Sequence, residues 1–493
     1  PANRSCGAAP FRNGTWIEES AAPYFPRNSW NAPPFIFDSF VAVEGGSSVD
    51  RFDPPISSSS TSWNAGPDGR TNCVRVATAS PRFPKWHVPG TGSDAPCDAD
   101  DRAQNPHGCP RALIHAFNTA EDAWGTHCYE VNGTHPNGTS GEILLGEGGW
   151  HLAAASRALG RFFVENVKEE LTVPGEWFIE RTSSRSARKG GPAPSATYRL
   201  WIVPNGTLAA RARALPFQDA TAAPPYDRVD PLSAPTIAAD VLLVGLRRIL
   251  SIRGDGDLAT RSVRDVTISS ITFTHAAQTF VPSVGGKYEV PSNGDWSILR
   301  EGAVFIGDGA QNITIFNSKF WRLGGNGVVL SGRAQRCAIT DSEFGFLGES
   351  AIVSVGRATL FDGTLPRYPN GTRVVGNHIH GTGLWGKQSA GYVQFLSANA
   401  SVVNNTIHDV PRAAIALNDN FGGGNVVEGN VLFNTVRETA DHGPINSWSR
   451  MGYVTEATGV PGGSLGVLWS HVRNNLVVIG WSHGANAQAN QRM

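Results

Sequence analysis

The chain has 493 residues with a formal net charge of −1; only 17% are charged, while 56 are Gly, 32 Pro and 2 Met. That balance excludes broad electrostatic capture of nucleic acid or anionic membrane, and no run of about 18 apolar residues is present to span a bilayer. Abundant Gly and Pro with few charged residues and almost no Met make poor helix material and good turn-and-strand material, in one long repeat domain or two to three globular ones.

Beginning at Pro1 without Met or a signal-like segment, the chain reads as a mature form or a fragment. Residues 1–140 read as a loop-rich N-terminal region. Pro-rich segments alternate there with Ser and Gly runs, and Phe35–Phe37 and Phe40–Val43 are short strand candidates. Cys6, Cys73, Cys97, Cys109 and Cys128 crowd this region. Two disulfides are expected among them, with Cys97–Cys109 the favoured local loop and Cys73 and Cys128 as further members. Cys337, alone among the later residues, is expected to be a small buried side chain. Zinc spacing of the C-x-x-C kind is absent, and the Asp98, Asp100, Asp101 trio lacks a following bidentate Glu; no metal is expected. Asn-x-Ser/Thr acceptors start at Asn3, Asn13, Asn132, Asn137, Asn205, Asn312, Asn370, Asn399 and Asn404. Five of the nine are Asn-Gly-Thr, an accessible turn setting. They point to a secreted, extracellular chain carrying N-linked glycans.

Residues 141–240 read as a β-hairpin module and connector. Phe162–Val167 leads to Pro174-Gly175-Glu176-Trp177-Phe178-Ile179, then a Ser/Arg/Lys/Gly loop, then Tyr198-Arg199-Leu200-Trp201-Ile202-Val203. Alternating apolar positions on both sides of a polar loop predict a hairpin. Pro-Gly-Glu-Trp-Phe, preceded by Val-Glu-Asn-Val and followed by Tyr-x-Leu-Trp, resembles a segment of secreted right-handed parallel β-helix proteins. These are of the pectate-lyase-like superfamily, and many are glycoside hydrolases or similar to them.

From residue 241 to 493 a repeat emerges. Ile268…Phe273, Ile315…Phe320, Ile339…Phe344, Val374…Ile379, Val402…Ile407 and Val426…Val431 each place two apolar residues five apart around a polar corner. Consecutive starts differ by 47, 24, 35, 28 and 24 residues, a basic period near 24 with insertions. One coil of a parallel β-helix has that length: three short strands whose inward side chains only a neighbouring coil can cover. Asn377, Asn405 and Asn475 fall at equivalent corners, where Asn tolerates a left-handed backbone and can ladder its amide along the stack. The expected fold is all-β, a right-handed single-stranded parallel β-helix. It carries the disulfide-containing N-terminal region and the inserted hairpin module.

Loops inserted into such a stack can line a cleft. One lies between 274 and 310 with Trp296, Arg300 and Glu301; a second between 357 and 372; a third follows Asn434. Glycosidic cleavage needs two carboxyl groups, about 5–5.5 Å apart for retention and roughly 6.5–9.5 Å for inversion. Asp419 and Asp441 on neighbouring coils are the expected catalytic pair, with Glu438 the substitute for either. His442, Asn446, Trp448, Arg450, Arg437 and Trp296 are the expected substrate-binding groups: flat rings stack on sugar faces, and amides and guanidinium groups take hydroxyls. The resemblance supports Asp441-His442-Gly443-Pro444 with Asn446-Ser447-Trp448. It also implies a later acidic cluster that Gly480–Asn490 does not contain. His378, His380 and His408 read as stacked structural residues, and Asp341 and Glu349 as corner residues.

A secreted carbohydrate-active β-helix glycoprotein, glycoside-hydrolase-like, acting on or binding an extracellular polysaccharide is the leading expectation. A non-catalytic structural glycoprotein of a wall, filament or matrix, self-assembling or bound to a partner chain, is the alternative. A polysaccharide lyase, using Arg412, Arg437 or Lys387 as base and the one reading that implies Ca²⁺, is the second.

Overall fold

The computed structural model describes residues 40–43, 61–65, 71–76, 112–117, 126–137, 140–148, 162–170, 177–181, 198–202, 227–228, 241–244, 246–254, 262–279, 298–357, 367–418, 423–437, 443–448 and 469–478. The chain divides into two compact units, the first running essentially to Val244 and the second from Gly245 onward.

The first unit is antiparallel. Six strands form one sheet in the order Thr61–Ala65, Thr71–Val76, Ser140–Gly148, Thr126–Asn137, Leu113–Phe117, Phe162–Glu165. Ile114, Val131, Ile143 and Val164 are buried in it. Four of these strands arise before residue 140, in the stretch whose composition reads as loop. The expected hairpin is present: Trp177 pairs with Ile202 and Arg181 with Tyr198. Phe40–Val43 is a strand, paired with Val241–Val244. Cys73 and Cys128 sit on strands separated by Ser140–Gly148, while Cys6, Cys97 and Cys109 lie outside the described residues.

In the second unit three seven-stranded sheets are each wholly parallel. One strand from each sheet makes one coil, giving seven coils among the described residues. Coil 1 is Leu250–Arg253, Arg264–Ser269 and Thr272–Thr274; coil 2 is Val304–Gly307, Gln311–Phe316 and Lys319–Leu323; coil 3 is Val328–Ser331, Ala338–Thr340 and Glu343–Leu347. Coil 4 is Ile352–Val355, Arg373–Val375 and His378–His380; coil 5 is Tyr392–Phe395, Ser401–Val403 and Thr406–His408. Coil 6 is Ile415–Asn418, Val426–Glu428 and Val431–Phe433; coil 7 is Ile445–Trp448, His471–Arg473 and Leu476–Val478. The shared core is an aliphatic column, Ile315, Ile339, Val374, Val402 and Val427, beside a column of Phe320, Phe344, Ile379, Ile407 and Leu432. Cys337 is fully buried within it, and burial pushes its thiol up to about 11. It packs and does not react.

The sixth apolar pair requires a correction of one residue. Val427 and Leu432 are the inward pair, each 0% exposed, whereas Val426 and Val431 are only partly buried. Both segments are apolar triplets, so periodicity alone leaves the phase open, and a one-residue slip exchanges the two faces.

The second corner holds the coils together. Ser318 N donates to Ser342 Oγ, Ser342 N to Asn377 Oδ1, Asn377 N to Asn405 Oδ1, Asn405 N to Asn430 Oδ1 and Asn430 N to Asn475 Oδ1, all at 2.9–3.0 Å. Each Asn amide also donates to a carbonyl of an adjacent coil, as Asn405 Nδ2 does to Val374 O at 2.9 Å. The left-handed backbone falls one position earlier than the sequence suggests, on Asn317, Asp341, Gly376, Asn404, Gly429 and Asn474, with φ between 46° and 70°. The ladder residue supplies the amide and its predecessor turns the chain.

Candidate functional site

Along the first strand of each coil, alternate residues face outward. The outward row is Phe305, Val329, Val353, Val393, Ala416 and Asn446. Its apolar members are buried; Ser251 opens the row in coil 1, polar and exposed, and after coil 2 the row turns polar again at coil 7. Asn418 stands opposite Trp448, and Ala416 opposite Asn446. Asn446 Nδ2 donates to Asn418 Oδ1 at 3.4 Å. Asn418 is 2% exposed and its own Nδ2 has no hydrogen-bond partner, an arrangement that costs free energy unless a ligand or water accepts from it. The strand register therefore puts Asn418, which sequence reasoning did not single out, beside Asn446 and opposite Trp448, two of the expected binding residues. An Asn ending an apolar strand carries no signal beyond its neighbour Asp419.

Asp419, Glu438, Asp441, His442, Arg450 and Trp296 lie outside the described residues. Of their flanks, Asn418 ends the first strand of coil 6, while Gly443 precedes the first strand of coil 7. Those strands are parallel and in register, so the two acidic segments leave from opposite ends of neighbouring strands. Arg437 is placed elsewhere than with Asn446 and Trp448. Its backbone nitrogen donates to Val410 O at 3.4 Å and its guanidinium lies 3.9 Å from Asp409. Of the first insertion, Arg300 donates to Ser331 Oγ and to the carbonyls of Val355 and Gly356, and Glu301 pairs with Arg248 at 2.7 Å. Both tie coils together.

A second polar group stands on the outer face of the third strands. Glu343 is opposite His378, and His380 is opposite His408. The rings stack as expected: His380 and His408 have centroids 5.3 Å apart, His408 and Phe433 4.5 Å, each pair nearly parallel. They also bond. His378 Nε2 is 2.9 Å from His408 Nε2, His408 Nδ1 is 2.8 Å from Asp409 Oδ2, and Lys319 Nζ is 2.8 Å from Glu343 Oε2. Burial, followed by the neighbouring imidazoles, holds His378 and His380 below the ordinary histidine range. For Glu343 burial pulls upward, but Lys319 and His380 outweigh it and keep the carboxyl low. Asp409 behaves likewise: burial raises it, and His408, Arg437 and Asn434 outweigh that. Glu343, His378 and His380 are the described residues that could hold a metal.

Glu349, at the turn from coil 3 to coil 4, is buried. Burial raises its pKa from 4.5 to about 7, against the Thr279 hydroxyl, which donates to it, and the charge of Arg247. Between those two values the folded chain keeps a proton that the unfolded chain has released, so this group makes stability fall as pH rises across the window. Glu349→Gln keeps an acceptor for Thr279 and removes the charge. The variant should melt with wild type near pH 4.5 and be more stable at pH 8, by up to about 3 kcal/mol. Thermal melts at both pH values check this; an equal difference at the two would contradict it.

Residues 302–453 match a family model described as right handed beta helix region. That stretch runs from the start of coil 2 past the first strand of coil 7. A solved structure titled "Glycoside hydrolase" is similar with TM-score 0.43 and 13% identity, over 91% of this chain and 80% of that one. No curated protein matches the sequence. Three wholly parallel sheets, one strand of each per coil, and the family match from coil 2 to the first strand of coil 7 make the second unit of this chain a right-handed parallel β-helix.

Proposed function

We propose that this is a secreted, carbohydrate-active β-helix glycoprotein of the glycoside-hydrolase-like kind, acting on an extracellular polysaccharide. The observation that carries the reading is the outward group at coils 6 and 7. Trp448 stands in register with a buried Asn418 whose amide N–H groups lack an acceptor, beside Asn446. A flat ring next to amide donors is what a sugar ring needs, one face for C–H stacking and an edge for hydroxyls. The strand carrying Asn418 continues directly into Asp419, and the strand carrying Trp448 follows Asp441 by four residues from Asp441 to Ile445. In this reading Asp441 is one carboxyl group of the hydrolytic pair, and Asp419 or Glu438 the other. His442 and Arg450 add polar contacts. Arg412 and Lys387 are 0% and 4% exposed, so two of the three bases a lyase would draw on are withheld from solvent, which favours hydrolysis.

Glycans on the Asn-x-Ser/Thr acceptors and disulfides among Cys73, Cys97, Cys109 and Cys128 belong to the same extracellular reading. The expected result is retention of wild type on one insoluble polysaccharide of a panel of plant, algal and matrix polymers. Trp448→Ala should weaken that binding roughly 10-fold, about 1–2 kcal/mol for one lost stacking platform. Equal retention of the two proteins on every polymer would remove Trp448 from the site.

A structural-glycoprotein reading draws on coil 7, where Val472, Leu476 and Val478 are 55%, 58% and 50% exposed. A coil with apolar side chains exposed in this way suits a second copy of the chain. Sedimentation velocity separates the readings: concentration-dependent association without polysaccharide binding favours the scaffold.

A further inference from the structure

We infer that Glu343, His378 and His380, with His408 beside them, form a binding site for one divalent transition metal ion of the zinc type. The inference concerns the third sheet and rests on no part of the carbohydrate reading. Three coils build the site. His378 and His380 are two apart on one strand and therefore share its outer face, Glu343 comes from the coil before and His408 from the coil after. Glu343, His378 and His380 each bring one ligand atom within 4.8 Å of the other two. Glu343 Oε2 is taken by Lys319, which leaves Oε1 facing His380 Nε2 at 3.5 Å. That spacing is close to the edge of a tetrahedron with metal–ligand bonds near 2.1 Å, about 3.4 Å. His378 Nε2 and His408 Nε2, at 2.9 Å, need only a few tenths of an ångström of opening to share an ion in place of a hydrogen bond.

The donor set settles the class of ion. Imidazole nitrogens with one carboxylate oxygen suit zinc and its neighbours, whereas Ca²⁺ and Mg²⁺ prefer oxygen ligands throughout. The surroundings have the parts that tune such a centre. His408 Nδ1 is bonded to Asp409, itself held by Asn434 and near Arg437, which orients the ring and frees Nε2 to face inward. Gly345, opposite His380 in the coil before, has no side chain, and the Trp321 ring lies where a Cβ would be. Trp321 and Phe346 then meet His380 edge-on at 5.6 and 5.5 Å and wall one side. Of the cations at hand, Lys319 is paired with Glu343 and Arg437 stands near Asp409. Stacking alone would be served equally by phenyl rings; it does not account for nitrogen and oxygen atoms converging.

The test is competition for ZnCl₂ between the full chain and a chromophoric chelator, after removal of metal with EDTA. Wild type should take up one Zn²⁺ at this site. His378→Ala with His380→Ala should weaken that uptake at least about 100-fold, and Glu343→Gln about 10-fold, within the range for losing ligands or their supports. His471→Ala, an exposed histidine on coil 7, should leave it unchanged. Far-UV circular dichroism and melting in EDTA establish that each variant is folded, and Glu343→Gln carries the test should the double variant not be. Zn²⁺ uptake that is absent from folded wild type, or identical in wild type and both variants, would overturn the inference. Neither result bears on polysaccharide binding.

Discussion

Asn405→Ala is expected to destabilise the β-helix by about 3–5 kcal/mol, since each buried polar group left without a partner costs roughly 1–3 kcal/mol. Asn405 Oδ1 accepts from Asn377 N at 2.9 Å and from Asn377 Nδ2 at 3.0 Å, and its Nδ2 donates to Asn430 Oδ1 and Val374 O, each at 2.9 Å. Alanine provides neither function, and the site is too buried for bulk water to substitute, as Asn377 and Asn405 are each 1% exposed. In a solenoid each coil contacts only its neighbours, so a break at coil 5 separates coils 1–4 from coils 6–7. Denaturant unfolding should show a lower midpoint together with a shallower or divided transition. The control is Asn317→Gly, one position before the ladder in coil 2, exposed, with φ 46°. Glycine adopts that backbone without strain, and the change should stay within about 0.5 kcal/mol. Equal losses from the two substitutions would mean that the turn, not the amide ladder, secures this corner.

Phe320→Ala should cost about as much, roughly 3–5 kcal/mol for a large core ring removed. Phe320 lies between two rings, 4.9 Å from Phe273 and 4.4 Å from Phe344, the latter nearly parallel at 4°. Its loss would open a cavity between coils 1 and 3 that the hydrogen-bonded coil spacing prevents from collapsing. Phe320→Leu tests whether the ring or its volume matters. The same column is Ile379, Ile407 and Leu432 in coils 4 to 6, so an aliphatic side chain fits the geometry. The leucine variant should recover all but about 1–2 kcal/mol. The midpoint of guanidinium unfolding for the three proteins checks the order; a leucine variant no better than the alanine one would contradict it.

The coil was legible because its inward positions recur at fixed offsets from a polar corner. Three residues before each ladder residue and two after it the side chain is inward, as Val374 and Ile379 are about Asn377 and Val402 and Ile407 about Asn405. Asn430 was the one marker able to phase Val426-Val427 and Val431-Leu432, and apolarity without it favoured the outward residues. The left-handed turn was assigned to the correct corner but to the laddered Asn, because Asn suits both roles equally on propensity. Asn446 and Trp448 are legible through the resemblance that Asn446-Ser447-Trp448 carries. Asn418 is not, since its role comes from register with Trp448 in the next coil. His-Ile-His at 378–380 marks one strand face in the sequence. The convergence of Glu343 and His408 on it depends on the 35- and 28-residue separations of neighbouring coils, which insertions set and composition does not reveal.

The most direct measurement is reducing-end release from a panel of extracellular polysaccharides by wild type and by Asp441→Asn, with far-UV circular dichroism confirming the same fold. Saccharide release by wild type on at least one polymer, falling to the no-enzyme background in Asp441→Asn, is the predicted result. Release at the same rate from both proteins, or from neither on any polymer, would contradict a hydrolytic site at coils 6 and 7.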